Sequence, residues 1–535
     1  MRTGTRGGVV KVVALAVVAL LAVAVTSWLM WDASAGKRGT QADLSELLKE
    51  APQQISDEAV VDRIRAFCGD CHAVPLPKSF PRAAWHDEVR KGYEFYSHSG
   101  RTDLDPPPMY QTVKWYRAQA PEQLEFVFPK DAAHELGTTF REERFLGDKS
   151  SPLVPAVSHV HWLQLEADSD PLLVVCDMRG GAVSTLSLRD RKATQQTLAK
   201  LKNPCHVEPC DFDANGTIDL IVADLGSYSP ADHEDGRVLL IPQAEDGTFA
   251  QPIELATGLG RVADVQPCDV DNDDDLDLIV AEFGMHRTGR ILLLRDVSGP
   301  DEPRRFEPET LDARPGASHI PLVDLNDDGR LDFIALISQQ YEQVGAYLNQ
   351  EGMNQPGSPF RMKLAWEAPD LTYGSSGITL VDLDSDDDLD VLYTNGDAFD
   401  NYYLNPSHGV QWLENEGNLQ FTYHRLTDLV GAYGARAGDL DMDGDQDIIA
   451  VAWTPGKVQP DNVVLTELPS VICLEQTKPG QFVRHTLQTG CPNNSSLEMA
   501  DFDNDGDLDF AIGCHSLDPT KSLPYWVAVW WNNAR

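Results

Sequence analysis

Six nine-residue segments that begin and end on aspartate recur along this chain, and no other feature limits its fold as tightly. They are Asp211–Asp219 (DFDANGTID), Asp269–Asp277 (DVDNDDDLD), Asp324–Asp332 (DLNDDGRLD), Asp382–Asp390 (DLDSDDDLD), Asp439–Asp447 (DLDMDGDQD) and Asp501–Asp509 (DFDNDGDLD). Their starts lie 55 to 62 residues apart, and each runs into a short β-rich apolar stretch such as Leu220-Ile221-Val222-Ala223. Self-similarity at a steady period marks a repeat architecture and outranks local propensity in assigning a fold.

Oxygen-bearing side chains hold positions 1, 3, 5 and 9 of every copy. In chain order these are Asp211, Asp213, Asn215 and Asp219; Asp269, Asp271, Asp273 and Asp277; Asp324, Asn326, Asp328 and Asp332. The last three copies carry Asp382, Asp384, Asp386 and Asp390; Asp439, Asp441, Asp443 and Asp447; Asp501, Asp503, Asp505 and Asp509. With a backbone carbonyl from position 7, such a set suits calcium, which takes roughly six to eight oxygens. An EF-hand would need Glu at position 12 and flanking helices. Position 12 is instead Val222, Val280, Ala335, Tyr393, Ala450 or Ile512, inside the strand-like run. About six Ca2+ ions are therefore expected. Loops two and four have Asp274 and Asp387 where the others have Gly, which weakens the case for calcium there.

The loops contain 29 of the 84 acidic residues, set against 43 basic ones. Much of the net charge of −41 thus reads as metal ligand rather than solvated surface. Nucleic acid is excluded as a partner, because phosphate binding needs clustered Lys and Arg.

The pattern resembles FG-GAP repeats, also called VCBS repeats, of the kind found in integrin α-subunits. That resemblance implies one propeller blade per repeat, with the calcium loop joining the first two strands. Further repeated pieces agree: a strand such as Val410–Asn415, then a strand opening near Phe249, Phe306, Phe360, Phe421 or Phe482. A seventh, decayed copy is found by aligning Ser158–Asp177 on Cys205–Asp224, with Gln164 and Glu166 at positions 1 and 3. The last repeat lacks its outer strand, and Thr139–Phe145 supplies one from the other end of the propeller. Pairing the two ends leaves no open edge. The expected fold is mainly β: a seven-bladed propeller over 137–535, preceded by a small all-α unit over 52–125.

Cys68-Gly69-Asp70-Cys71-His72 is the Cys-x-x-Cys-His pattern of covalent haem attachment. Two thiols three positions apart reach the two vinyl groups of one porphyrin, and the adjacent imidazole ligates its iron. One haem c is expected, bound through Cys68 and Cys71 with His72 on the metal. Apolar residues at helical spacing over Ile55–Phe67 predict a helix leading into the motif, with a second over Phe80–Tyr96. The stiff Asp105-Pro106-Pro107-Pro108-Met109 loop precedes a third helical stretch, Tyr110 to about Gln119. Over roughly residues 52–125 this is similar to class I cytochrome c, and the resemblance implies Met109 as the sixth iron ligand. His86 and His98 are the alternatives.

Arg2, Arg6 and Lys11 precede an uncharged apolar run from Val12 to Trp31. Its twenty residues reach about 30 Å as a helix, the thickness of a bilayer core. A single-pass anchor within 1–35 is expected, placing the body outside a bacterial cytoplasmic membrane. Ala33-Ser34-Ala35 allows signal-peptide cleavage instead.

The residue five before each loop opens the innermost strand of its blade. Around the ring it is His159, His206, Asp264, His319, Gly377, Gly434 and Ser496. Three His and an Asp at one level suit a transition metal on the axis; polar residues lining a wet channel are the plainer interpretation. A second ring, Asp177, Asp224, Glu282, Ile337, Asn395, Ala452 and Cys514, comes from the far end of the next strand. The function expected is electron transfer through one haem, with the propeller docking a redox partner, another protein or a polysaccharide. An oxidoreductase with an axial metal or cofactor site, and an adhesion or sensor module with regulatory haem, are the alternatives. No hydrolase motif is present.

Overall fold

A computed structural model describes residues 58–70, 74–147, 153–166, 169–188, 194–273, 275–285, 287–299, 303–350, 358–370, 372–399, 402–461, 463–490, 492–517 and 525–534. The apolar run from Val12, together with Cys71 and His72, lies outside the described residues. By contact density the chain divides into two compact units, one of residues 1–64 with 85–119 and one of 65–84 with 120–535.

Three helices precede the propeller among the described residues: α1 (Glu58–Cys68), α2 (Trp85–His98) and α3 (Met109–Gln119). In the first unit, Trp85 of α2 stacks on Tyr116 of α3 with ring centroids 3.9 Å apart and planes 9° from parallel. The proline run is pinned by Tyr93, which donates to the Pro107 carbonyl at 2.6 Å, and by an Arg63–Asp105 ion pair at 3.0 Å. The second helix starts at Trp85, later than expected. Phe80 lies in the extended segment before it, where Pro81 follows and disfavours helical dihedrals. No helix among the described residues is long and apolar enough to cross a membrane.

The second unit contains a seven-bladed β-propeller. Seven antiparallel sheets follow one another along the chain, six of them wholly consecutive in sequence. The second strand of each of blades two to seven begins on the last aspartate of a loop: Asp219–Asp224, Asp277–Glu282, Asp332–Ile337, Asp390–Asn395, Asp447–Ala452 and Asp509–Cys514. Every residue of these strands is buried, because both faces pack against neighbouring blades. That accounts for their unbroken apolar runs, where a half-exposed strand would alternate. Blade one is the decayed copy, with Val157–Leu163 and Leu172–Asp177 as its first two strands.

Closure follows the expected exchange. Arg141–Phe145 pairs with Val527–Trp531, from Arg141 opposite Trp531 to Phe145 opposite Val527, and so becomes the outer strand of blade seven. Phe140 packs on Phe510 at 5.0 Å just before it. Outer strands do open at Phe306, Phe360 and Phe421, but that of blade two starts at Ile253. Phe249 forms only an isolated bridge to Gln243, because Pro252 has no N–H to extend the ladder.

All seven inner strands share one irregularity. Their pairing shifts register immediately before His159, His206, Asp264, His319, Gly377, Gly434 and Ser496. Such a bulge re-aims the side chains around it. The bulged residue itself stitches blades together. Ser158 donates to the Pro204 carbonyl at 3.4 Å, Cys205 to Val262 at 3.1 Å, Ser376 to Ala432 at 2.7 Å and Ser495 to Val157 at 2.5 Å. The last of these spans blade seven and blade one. Between blades four and five, Glu342 is 4% exposed and its carboxylate accepts from the Ser375 backbone N–H at 2.9 Å and from the Ser375 hydroxyl. Burial pushes this carboxyl up to about 8.

Candidate metal sites on the propeller

Each acidic loop is built around its first carboxylate. The backbone N–H of position 5 donates to it in all six copies, at 2.9 Å for Asp211, 3.1 Å for Asp269, 3.2 Å for Asp324, 3.1 Å for Asp382, 3.0 Å for Asp439 and 3.1 Å for Asp501. To bring that N–H inward, position 4 is left-handed in every loop: Ala214, Asn272, Asp327, Ser385, Met442 and Asn504. A left-handed residue other than Gly or Asn costs about 1–2 kcal/mol, so the conformation has to be held from outside. Position 6 is left-handed too in the five loops where it is described. Gly216, Gly329, Gly444 and Gly506 take φ between 82° and 98°, while Asp387 is forced to 73°.

The carboxylate at position 9 has a second task that sequence did not reveal. In five loops one of its oxygens accepts from the backbone of position 2, as from Phe212 to Asp219 at 3.1 Å, while in loop two Asp277 Oδ2 has no hydrogen bond among the described residues. The other accepts from the end of the third strand: Gln243, Asp296, Asn349, Asn415 and Asn532 at 2.7 Å, and Gln476 at 2.9 Å. Position 9 therefore ties loop to sheet, and each oxygen still has a lone pair to offer a cation. Burial pushes Asp277, Asp447 and Asp509 up to about 7 and Asp390 up to about 6, against the pull of those backbone N–H groups.

Calcium fits some loops better than others. Asp384 Oδ1 and Asp441 Oδ1, both at position 3, are buried without a hydrogen bond among the described residues. A buried, bare carboxylate oxygen is costly unless a cation meets it. In loop two Asp271 Oδ2 is met by Arg295 at 2.5 Å, and in loop three Arg330 pairs with Asp328. Blade one shows the alternative to a cation. There the Gln164 amide donates to the carbonyls of Glu166, at 2.7 Å, and Ser169, filling the loop with its own N–H groups.

On the axis the structure brings together the predicted residues of blades one to three. The rings of His159 and His206 lie 4.2 Å apart, and His206 Nε2 is 3.1 Å from Asp264 Oδ1. His319 sits where its strand breaks at Pro321, and the Ile320 N–H beside it donates to Asp264 Oδ2 at 2.8 Å. Sequence reasoning missed the next layer. Residues two further along the same strands are His161, Glu208, Gln266, Pro321, Thr379, Arg436 and Glu498, and alternation along a strand was the signal that would have found them. His206 Nε2 contacts Glu208 Oε1 at 2.6 Å, while Gln266 donates to both Glu208 and Asp264 at 3.0 Å. Burial lowers His206, but Asp264 and Glu208 outweigh it and raise the imidazole to about 9. Burial and the charge of His206 hold His159 well below its ordinary value. His159 Nε2 and His161 Nδ1 are buried with no hydrogen-bond partner among the described residues. The donor set of His206, Glu208 and Asp264 converges within 4.8 Å, which suits a transition-metal ion.

The second predicted ring is structural at three positions. Asp177, Asp224 and Glu282 accept backbone N–H groups from the chain entering their blades, at 3.1 Å from Ala156, 2.9 Å from Asn203 and from Gly260. Cys68 closes α1 and is half-buried, and Met109 opens α3, also half-buried.

An FG-GAP-like repeat model matches residues 189–280, the stretch from the end of blade one into the second strand of blade three. A search of curated proteins finds no match.

Proposed function

We propose that this protein is an exported electron-transfer protein carrying one covalent haem, with its FG-GAP-like propeller acting as a calcium-stiffened docking platform. The observation that carries this reading is the Cys-x-x-Cys-His sequence at 68–72, which starts on the last residue of α1. In this reading Cys68 and Cys71 would form the thioethers, and His72 and Met109 would be the ligands of the iron. A haem held in this way supplies one-electron transfer at a raised potential. Up to six Ca2+ ions bind through loop positions 1, 3, 5 and 9, where they would relieve the crowding of carboxylates and hold the left-handed residues of each loop. The apolar run from Val12 tethers the body to the exported side of a membrane. The docked partner is a redox protein or an exported polysaccharide.

The test is the reduced visible spectrum of the purified protein beside its iron and calcium content. About one iron and up to six calcium per chain, with haem still attached after denaturation and lost in Cys68→Ala, supports the reading. Absence of iron sinks it.

A second reading is favoured by the axial cluster: an oxidoreductase whose metal sits on His206, Glu208 and Asp264, with electrons passing to the haem. The unpartnered ring nitrogens of His159 and His161 support a ligand there. A second metal other than calcium, lost in His206→Ala with haem content intact, would carry this reading over the first.

A further inference from the structure

The segment that enters the propeller crosses blades six and seven before it closes the ring. The Ala132 N–H donates to the Arg484 carbonyl at 2.7 Å, and Thr486 donates to Asp131 at 2.9 Å. Gly137 passes so close to calcium loop five that a Cβ there would lie 2.6 Å from Asp441 Oδ2. Thr138 then donates to the Asn532 side chain, and the Asn533 amide donates to the Thr139 carbonyl at 3.1 Å. This strap leads into the strand that completes blade seven.

Midway along it, His134 meets two residues of blade six. His134 Nε2 is 2.7 Å from Glu475 Oε2, and His485 Nε2 is 2.6 Å from the same oxygen. Their ring centroids are 5.3 Å apart, with planes inclined at 76°. Blade five carries the same cross-strand pair one repeat earlier, with His424 Nε2 at 2.5 Å from Glu414 Oε2. The diagonal His–Glu pair is therefore a property of both blades, and His134 is what the strap adds at blade six.

We infer that His134, Glu475 and His485 form a site for one divalent transition metal of the zinc type, clamping the strap to blade six. Two imidazoles and one carboxylate are the donor mixture that zinc, cobalt and copper prefer, and calcium does not. The two ring nitrogens converge on one oxygen, so the three donor atoms already face one point. Glu475 and His485 are about nine-tenths buried, which fixes two ligands before metal arrives, while His134 is 53% exposed and leaves an approach from solvent. Three protein ligands leave a fourth position for water. The consequence is a metal-dependent lock on ring closure, separate from the axial cluster and from the acidic loops.

The test is titration of the full-length protein with Co2+ in excess calcium, which keeps the acidic loops filled. One equivalent with visible d–d absorption that depends on His134 is expected, counted apart from any equivalent taken by the axial cluster, lost in His134→Ala and in Glu475→Gln but retained in His424→Ala. Apparent affinity should fall at least about a hundredfold, since even a supporting partner is worth roughly ten- to a hundredfold. Zinc should also raise the melting temperature of the parent protein and not of His134→Ala. Because His134 is exposed, its replacement leaves the fold intact even if His485→Ala does not fold. A parent protein without this equivalent, or a His134→Ala variant that keeps it, overturns the proposal.

Discussion

The six acidic loops share one ligand pattern, yet loops four and five differ from loops two and three in what faces the carboxylates. In loops four and five a position-3 oxygen is buried and bare, at Asp384 and Asp441. In loop two an arginine from the third strand sits on Asp271, and in loop three Arg330 turns back onto Asp328. The capacity of a loop for a cation is thus set by residues that the repeat pattern leaves free to vary. A guanidinium on a ligand carboxylate is a competitor that any arriving Ca2+ must displace.

The largest expected effect lies outside both groups and has to be separated from them first. Glu342 is held at about 8 by burial, above the ordinary 4.5 of the unfolded chain. The folded state therefore binds the extra proton, so this contribution is fully present below about pH 4.5 and lost as pH rises through about 8. At about 1.4 kcal/mol per unit, the whole fall is about 5 kcal/mol. Urea melts of calcium-free protein at pH 5 and pH 8 read most of it, and Glu342→Gln should shrink the difference, the remainder coming from Asp277, Asp447 and Asp509; an unchanged slope would show that Glu342 titrates normally.

Next in size is the loss of a position-9 anchor. Asp447→Ala strands the Leu440 and Gln476 N–H groups, and Asp332→Ala does the same to Leu325 and Asn349. Each variant should lose about 3 kcal/mol in EGTA, because two buried donors go unmet. Equal losses without calcium and unequal losses with it would sharpen the contrast between the loop groups. A smaller effect separates position 3. With calcium at about a hundred times Kd, Asp441→Ala should forfeit about 2.7 kcal/mol of calcium-dependent stability and one bound ion. Asp271→Ala should forfeit less, and calorimetry showing the reverse order would break the comparison. Smallest is Arg295→Met, which frees Asp271 and should raise calcium affinity at loop two roughly tenfold, about 1.4 kcal/mol.

The propeller was legible in the sequence because every blade repeats its buried second strand directly after an oxygen-rich loop. Even the closing strand could be found, as a missing piece at one end and a spare at the other. The axial level at His159, His206 and Asp264 was legible by the same alignment. Its partners Glu208 and Gln266 were not, since the repeat alignment marks a single level and only strand alternation leads to the next. The anchor role of Asp219 and its equivalents was hidden because a ligand and a hydrogen-bond acceptor look alike in sequence. His134 gave no signal at all: it belongs to no repeat, and only the path of the strap brings it to Glu475 and His485.

Closure by Arg141–Phe145 also bears on how the chain is made. That strand is synthesised before any blade exists, and its partner Val527–Trp531 follows nearly the whole propeller later. At roughly 5–20 residues per second the interval is on the order of twenty to eighty seconds. For that time an edge strand waits with its backbone groups unpaired, because the three other strands of blade seven are the last to be made. Its charged sequence, Arg141-Glu142-Glu143-Arg144, is what a waiting edge needs, because charged side chains on an edge strand discourage pairing with another copy.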